Sequence, residues 1–273
     1  MKAKKVIGIS LVVILLSLLY FQTFIWLANS WLSHSYYSHG FLIPLVSGFI
    51  FWRKRHQLKQ VNPSRLGILV TALGLSLHVA GLLSYFNFLS AISFLVVLSG
   101  LVLYFWGNKG LQSLLFPICF LIFMIPFPLL DTIGNWLQSI SAHWSASIIG
   151  GMGIPVTFTG AEIHLEESAF IIGIPCSGMN TLISLLALAA LFGYVLKGRF
   201  YKKAVLIAIA IPIAILANLF RIVAVLLIAN YYGTETAMRF FHSYSSILLF
   251  LVAFLCLAAS SWLLRLHFRG ASP

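Results

Sequence analysis

Charge is scarce in this sequence, and negative charge is the scarcest. Only 8% of the 273 residues are charged and only five are acidic, whereas 61% are hydrophobic. A soluble domain of this length needs a more strongly charged surface, so the composition excludes one and indicates an integral membrane protein. Lipid offers the backbone no hydrogen-bonding partner, so most of the chain is expected to form membrane-spanning helices.

The net charge of +12 does not indicate a nucleic-acid-binding protein. Such binding requires a basic face on a soluble domain. Here the basic residues lie in short clusters between apolar runs, which is typical of cytoplasmic loops in membrane proteins. No nucleic-acid partner is therefore expected.

Cysteine is also rare, and the three cysteines form no disulfide framework. Cys119 and Cys256 lie within apolar runs and are predicted to be small buried hydrophobic residues. Cys176 differs because it lies in the segment PCSG, directly before a long apolar run. A thiol near a helix N-terminus is favoured in its thiolate form. No spacing of His, Cys, Asp or Glu argues for a metal site, and no cofactor is expected.

The apolar runs predict an all-α polytopic membrane protein with about eight transmembrane helices, forming one integral membrane domain over residues 1–273. The first run follows a lysine cluster and is interpreted as a retained signal-anchor helix. The second run is short for a span. The runs cover residues 6–28, 40–53, 66–84, 89–107, 111–127, 175–196, 204–230 and 244–264.

The charges assign a topology to these helices. With eight spans, fifteen of the seventeen Lys and Arg residues fall on the side of the N-terminus, and all five acidic residues fall on the other side. By the positive-inside rule, both termini are predicted to be cytoplasmic, and the protein is expected in the cytoplasmic (inner) membrane.

Residues 128–174 form the longest segment between predicted spans and are expected to make an outer-face cap. Apolar residues repeat every three or four positions over 132–149, which predicts an amphipathic helix on the membrane surface. Short alternation over 156–174 predicts a small β-hairpin between helices 5 and 6.

Arg221 is the strongest functional signal, because a guanidinium inside a spanning helix is costly and indicates a functional site. It lies nine residues before the predicted outer end of its helix, about 13 Å deep at 1.5 Å per residue. The alternative is a structural arginine that is bonded to carbonyls or extends outward to the membrane surface. Asn218, nearly one turn earlier, would orient the guanidinium or bind substrate.

Cys176, Arg221 and His242 are predicted at similar depth on the outer side. A nucleophile, a cation for the oxyanion and a general acid/base would together support acyl transfer. His39 is a second outer-face histidine. Each alone has a structural alternative, in packing for Cys176 and in loop anchoring for the histidines.

The chain resembles the exosortase/archaeosortase family of membrane-embedded cysteine transpeptidases. The matching pieces occur in the family's order and extend over about 205 residues. One difference is that Ser243 follows the histidine, where many family members have glycine. The pieces are residues 37–44 (YSHGFLIP), 153–156 (GIPV), 175–178 (PCSG), 217–221 (ANLFR) and His242.

The resemblance implies that Cys176 is the nucleophile, Arg221 the stabiliser of the oxyanion or thiolate, and His242 the general acid/base. It also implies substrates: exported proteins ending in a short motif, a transmembrane helix and a basic tail. These would be cut at the outer membrane surface and passed to an unknown acceptor, a lipid or a glycan. The residues predicted to bind substrate or support the site are Asn218, Ser177, Gly178, His39 and Tyr37.

Two other functions remain open from the sequence. The first is a transporter or lipid-carrier binder with Arg221 as an anion site. That function predicts paired broken helices in symmetric halves, and the sequence shows no such pairs. The second is a structural subunit of an export assembly, in which none of these residues performs chemistry.

Overall fold

The computed structural model describes residues 2–33, 35–59, 64–165, 168–171, 177–241 and 245–268. These residues contain ten α-helices and five short strands. The chain divides into two compact units, Met1–Pro128 and Leu129–Pro273. The predicted class, a helical membrane protein with a small antiparallel sheet, is confirmed.

The first unit consists of helices joined by short 3-10 turns at Ser35–Phe41, Arg55–Lys59 and Leu121–Met124. Its helices are α1 (Lys2–Leu19), α2 (Phe21–Ser33), α3 (Leu42–Lys54), α4 (Leu66–Leu83) and α5 (Asn87–Phe120).

The second unit contains the remaining helices and all five strands. Its helices are α6 (Leu130–Gly151), α7 (Met179–Val195), α8 (Phe200–Tyr232), α9 (Thr234–Phe240) and α10 (Ser246–Leu263). Its strands are β1 (Val156–Thr159), β2 (Glu162–Leu165), β3 (Ser168–Ile171), β4 (Leu196–Lys197) and β5 (His267–Phe268).

Helix lengths alone do not reproduce eight spans. Within the described residues, α4, α5 extended to Met124, and α8 are long and apolar enough to cross a membrane, and the bent pair α1–α2 would make a fourth span. α3 has 13 residues, and the apolar parts of α7 and α10 have 17 each. A span needs about 20. The number eight therefore stays a prediction.

The first predicted helix, over 6–28, is two helices bent by 67° at Tyr20. Tyr20 is fully buried there, and its hydroxyl lies 2.9 Å from Ser93 Oγ. His78 Nε2 lies 3.2 Å from the carbonyl oxygen of Leu19, the last residue of α1. Side chains of the neighbouring helices thus supply polar partners at the bend, which hydropathy cannot register.

A second break divides α5. Gly107 has φ 64° and ψ −168°, outside the helical region, so two helical stretches meet there. The runs predicted at 89–107 and 111–127 therefore separate at Gly107, one residue before the gap between them, where glycine tolerates a positive φ.

The helix pair α4–α5 packs at backbone distance through glycines seven residues apart. A Cβ added at Gly74 would lie 2.9 Å from the backbone nitrogen of Val97, and one at Gly81 would lie 2.8 Å from that of Ser90. A Cβ at Gly67 would overlap the backbone of Tyr104. Small residues allow this close approach in membranes, where packing rather than the hydrophobic effect joins helices.

The predicted β-hairpin is confirmed and has a third strand. β1, β2 and β3 pair antiparallel in that order. Ile163 and Leu165 of β2 are buried, whereas Glu162 and His164 face outward. The distance between Glu162 Oε1 and His164 Nε2 is 3.7 Å. This alternation fixes the face that packs on the helices.

α6 covers the predicted amphipathic segment but buries a different face. Trp136 and Trp144, two of the apolar residues that repeat every three or four positions, are 63% and 58% exposed. The packed face consists mainly of small residues, because they allow close helix contact while the tryptophans suit a lipid-facing surface. The buried residues are Gly134, Leu137, Ser141, Ala142, Ser145, Ala146 and Ile149.

α7 and α10 both run antiparallel along α8. Near the start of α8, Lys202 Nζ donates to the carbonyl of Leu264, and β4 pairs with β5. α9 lies in the gap between the runs predicted at 204–230 and 244–264. Because α9 folds back along α8, α10 begins at the level of the middle of α8.

Cys119 and Cys256 were predicted to be buried, and this is wrong. Both are free thiols on exposed helix surfaces. In a membrane protein an exposed helix surface can be apolar, so an apolar sequence context does not predict burial between helices.

We expect Gly74→Val to lower the free energy of unfolding by about 1–3 kcal/mol, the usual range for overpacking. Gly48→Ala is the matched control, since a Cβ at Gly48 meets nothing within 4 Å. Thermal unfolding in detergent measures both. Equal melting temperatures for the two variants would contradict the close α4–α5 contact.

Candidate active site

The buried face of α8 is apolar except at two neighbouring positions, Asn218 and Arg221. One apolar cluster of the second unit contains the buried residues of α8 up to Ala217, together with parts of α7 and α10. A second apolar cluster contains the buried residues of α8 from Ile222 onwards, together with parts of α6, α9 and the sheet. The two polar side chains therefore lie between two apolar clusters.

Arg221 is 9% exposed and is held by two residues that follow α9. Its guanidinium carbon lies 4.5 Å from the centre of the Phe241 ring. Its Nε donates to Ser245 Oγ at 3.1 Å, and that hydroxyl donates to the Phe241 carbonyl at 2.6 Å. A ring face and a directed hydrogen bond thus fix the plane of the guanidinium.

The reversal of the chain after α8 brings later residues beside Arg221. α8 ends at Tyr232, eleven residues after Arg221, so Arg221 lies about 16 Å from the helix end, slightly farther than predicted. Gly233 has φ 84° and ψ 160°, and α9 then runs back towards Arg221. The start of α10 therefore lies beside Arg221 and not beside Tyr232 at the end of α8.

Asn218 connects α8 to α6 and to the start of α7. It is 1% exposed, and its Nδ2 donates to Ser141 Oγ of α6 at 3.4 Å. A Cβ added at Gly178 would lie 2.9 Å from Asn218 Cβ and Cγ. The backbone before α7 therefore passes directly over Asn218, nearly one turn from Arg221.

Gly178 caps α7 in a left-handed conformation with φ 77°. The preceding Ser177 is buried, and its Oγ accepts a hydrogen bond from the Met179 amide at 3.3 Å. α7 thus begins at Met179, later than the predicted start at 175. The glycine of the PCSG segment is required by both the positive φ and the contact with Asn218.

Cys176 and His242 lie outside the described residues. Three described residues near them in sequence contact α8: Gly178 contacts Asn218, while Phe241 and Ser245 contact Arg221. The structure therefore brings together Arg221, Asn218, Gly178, Phe241 and Ser245.

Tyr37 and His39, predicted as supporting residues, belong to the first unit. The Phe127 amide donates to Tyr37 Oη at 2.6 Å, and His39 hydrogen-bonds to the backbone of Phe123. Burial lowers the pKa of His39 below its ordinary 6.5, and the carbonyl bond opposes this only in part. Both side chains thus bond to the segment that follows α5, and their supporting role stays a prediction.

A cavity of about 300 Å³ opens beside Arg221 in the second unit. Arg221 and Ser245 are its polar members, and the remainder of the lining is apolar. The lining residues are Ala217, Phe220, Arg221, Ala224, Phe240, Ser245, Leu248, Leu249 and Val252. The charge therefore faces a space of low polarity, in which it interacts strongly with any negative charge that develops there.

Ser141, Phe241 and Ser245 are site residues that the sequence reasoning missed. Ser245 lies in the segment SYSS, residues 243–246, which differs from the family pattern at its first residue. Ser141 lies among the small residues on one side of 132–149, a spacing that would have predicted the packed face. In the described part of the chain, no three His, Cys, Asp or Glu side chains form a metal-binding group.

The family model described as transmembrane exosortase matches residues 31–259, more than four fifths of the chain. The matched range contains Arg221, Asn218 and the segments that flank them. No curated protein and no solved structure gave a significant match.

We expect Gly178→Ala to destabilise the protein more than Gly160→Ala. Both glycines have a positive φ, 77° and 62°, so both variants carry backbone strain of about 1–2 kcal/mol. Only the Gly178 variant also places a Cβ against Asn218. Chemical denaturation in detergent measures both, and equal losses would show that the Asn218 contact does not constrain this position.

We expect His39 to make stability depend on pH. Its pKa is lowered in the folded protein, so the fold favours the neutral imidazole, while the unfolded chain binds a proton below about 6.5. Stability is therefore full above that pH and falls as the pH drops towards the lowered value. The melting temperature of the wild type should fall more between pH 8 and pH 5.5 than that of His39→Gln. An equal fall would contradict the assignment.

Proposed function

Because the chain belongs to the transmembrane exosortase family, whose members are membrane cysteine peptidases and transpeptidases that process exported proteins, we propose that it cuts such proteins and transfers them through Cys176. The reaction would take place around Arg221, with His242 as the general acid/base. The observation that carries this proposal is the placement of Arg221 against Phe241 and Ser245.

Three stretches distant in sequence support a shared site. Gly178, two residues after Cys176, contacts Asn218, and Asn218 precedes Arg221 by three residues on α8. Phe241 directly precedes His242, and Ser245 follows it by three residues. The proposed nucleophile and base thus each lie within two residues in sequence of a residue that contacts this part of α8, and the proposed cation lies on α8 itself.

In the first half-reaction, the Cys176 thiol passes its proton to His242, and its sulfur attacks the scissile carbonyl carbon. The resulting oxyanion is stabilised by the Arg221 guanidinium. The carbon–nitrogen bond then breaks, His242 protonates the leaving amine, and the oxygen regains its double bond. The products are a thioester on Cys176 and the released C-terminal segment.

In the second half-reaction, an acceptor hydroxyl or amine, supplied by a lipid or a glycan, attacks the thioester carbon and gives its proton to His242. The thiolate leaves, and the processed protein is bound to the acceptor. The apolar lining of the cavity beside Arg221 disfavours water. Transfer is therefore favoured over hydrolysis.

The arginine suits this chemistry because its position is fixed before substrate binds. Its Nε bond to Ser245 and its contact with Phe241 orient the guanidinium in a space with few other polar groups. A charge that needs no reorganisation stabilises an oxyanion more effectively than a mobile lysine would. Asn218 and Ser177 would support the segment that carries the nucleophile.

The proposed substrates are exported proteins with a C-terminal sorting signal: a short motif, a transmembrane helix and a basic tail. The charge distribution of the sequence supports an enzyme in the cytoplasmic membrane with its site facing outward. The amphipathic α6 and the three-stranded sheet would form the cap that recognises the motif.

A second candidate function is anion binding without catalysis, because Arg221 lines a small apolar cavity. This function requires the arginine but not the thiol. Substitution of Cys176 therefore separates the two candidates.

We expect Cys176→Ala to abolish processing of a co-expressed protein with such a sorting signal, a loss of at least about a thousandfold in rate. Cys119→Ala and Cys256→Ala are matched controls, since both thiols are exposed on helix surfaces. They should retain full processing. Immunoblotting of the precursor and the shortened product measures the reaction.

Arg221→Lys keeps the charge but loses the planar fork, so processing should fall by about a hundredfold or more. Arg239→Lys is its control, because Arg239 is exposed and pairs only with Glu235 among the contacts described for it. Undiminished processing in Cys176→Ala would refute the thioester mechanism, whatever the arginine variants show.

A further inference from the structure

The cavity beside Arg221 is a groove between α8 and α10. On both sides its lining residues recur at intervals of three or four, so each helix contributes one continuous face. The end of α9 adds Phe240. The two faces consist of Ala217, Phe220, Arg221 and Ala224 on α8, and of Ser245, Leu248, Leu249 and Val252 around the start of α10.

The groove continues from Arg221 towards the start of α8. Arg221 contacts Ser245, directly before α10, whereas Lys202, near the start of α8, contacts Leu264, directly after α10. The two helices are therefore antiparallel. Val252 follows Ser245 by seven residues and so lies about 10 Å closer to the start of α8. In this direction the described lining is apolar.

The groove opens to the side. Phe220, Leu248 and Val252 are 73%, 52% and 47% exposed and form its mouth, whereas Ala217 and Leu249 are 8% and 6% exposed and form its floor. The exposed surface of a membrane-spanning helix meets hydrocarbon. An occupant therefore enters the groove from the membrane and not from water.

The size of the groove suits side chains and excludes a helix. A cavity of about 150 Å³ accommodates a benzene ring, so the groove, with about 300 Å³, holds one or two large apolar side chains. A single helical turn, about 10 Å wide and 5.4 Å high, fills about 400 Å³. A peptide that occupies the groove is therefore extended there.

The lining selects an occupant with one negative oxygen beside an apolar group. The hydroxyl of Ser245 accepts a hydrogen bond from Arg221 and donates its proton to the Phe241 carbonyl. The guanidinium charge attracts an oxygen that carries negative charge. The other lining side chains are apolar, so they favour hydrocarbon and offer no partner to a polar side chain.

The substrate of the proposed reaction has such a pair of groups. Its scissile carbonyl becomes an oxyanion at Arg221, and the residues after the scissile bond lead into a transmembrane helix and a basic tail. The basic residues around the start of α8 mark the predicted cytoplasmic side, where that tail lies. The apolar part of the groove runs from Arg221 in the same direction.

We propose that the groove between α8 and α10 is the subsite for the leaving segment, and that it takes the first large apolar side chain after the scissile bond. The leaving segment is extended at this point and becomes helical beyond it. Ala217, on the floor and about one turn from Arg221, limits the size of the side chain. This subsite rests on the proposed function and adds a substrate preference to it.

The preference is measured after the scissile bond has been located. Mass spectrometry of the C-terminal segment released from a co-expressed substrate identifies its first residue. Leucine and alanine are then compared at each of the first three positions. At one of them, the wild-type enzyme should process the leucine substrate about tenfold or more faster, because apolar pockets discriminate between side chains by about 10-fold to 200-fold.

Ala217→Leu fills the floor of the groove and should reverse this preference. It should slow the leucine substrate about tenfold or more and leave the alanine substrate the faster of the two. Ala208→Leu is the matched control, since Ala208 is exposed on α8 and is not among the described lining residues. It should keep the wild-type preference. Melting temperatures in detergent show whether each variant is folded.

Crosslinking tests the subsite even where Ala217→Leu does not fold. The enzyme is Cys176→Ala, which binds substrate without forming a thioester. A substrate with a diazirine amino acid at one of the first three positions after the scissile bond should crosslink on irradiation to Leu248, Leu249 or Val252. The same amino acid three residues before the bond should not crosslink to them.

The subsite is overturned by equal processing of leucine and alanine substrates at all three positions. Equal slowing of both substrates by folded Ala217→Leu would also overturn it, as would the absence of crosslinks to α10. In each case, release that depends on Cys176 would leave the proposed function intact. Undiminished release by Cys176→Ala would instead refute the proposed function, and the subsite with it.

Discussion

The burial of one guanidinium within an apolar helix is the constraint on which the second unit depends. A cation among spanning helices is stable only with fixed polar or aromatic partners. Phe241 and Ser245, which follow α9, are described partners of Arg221. The reversal at Gly233 and the short α9 bring these residues to the depth of the charge.

The helices around this charge have unequal lengths. α8 is 33 residues long, whereas α7 and α10, which run along it, have 17 and 18. Both shorter helices begin near Asn218 and Arg221 and end near the start of α8, where β4 pairs with β5 and Lys202 of α8 donates to the Leu264 carbonyl. A helix start provides backbone N–H groups, so two such starts beside Arg221 add polar character to an otherwise apolar bundle.

Hydropathy predicted the elements whose position depends on the solvent alone. The run at 66–84 is α4 (Leu66–Leu83), the amphipathic segment is α6, and the alternating segment is a sheet. The bend at Tyr20 and the packed face of α6 were not predicted, because they depend on partners from other helices. Lipid and protein interiors are both apolar, so a hydrophobic face does not reveal which of them it meets. The tryptophans of α6 illustrate this.

The site was predictable in its charged member and not in its supports. Arg221 was evident because an arginine in a spanning helix is rare, and Asn218 because it lies nearly one turn away. Ser245, Phe241 and Ser141 carry no such signal, since serine and phenylalanine are common in membrane helices. Only the fold of α9 and the small-residue face of α6 place them at Arg221 and Asn218.

The central claim is that Cys176 reacts beside the charge of Arg221, and the titration of its thiol tests this most directly. In a protein with Cys119→Ser and Cys256→Ser, the rate of Cys176 alkylation is measured against pH, with and without Arg221→Gln. The account predicts an apparent pKa below the usual value of about 8.5, and a rise when the arginine is removed. A pKa at or above that value, unchanged by Arg221→Gln, would contradict it.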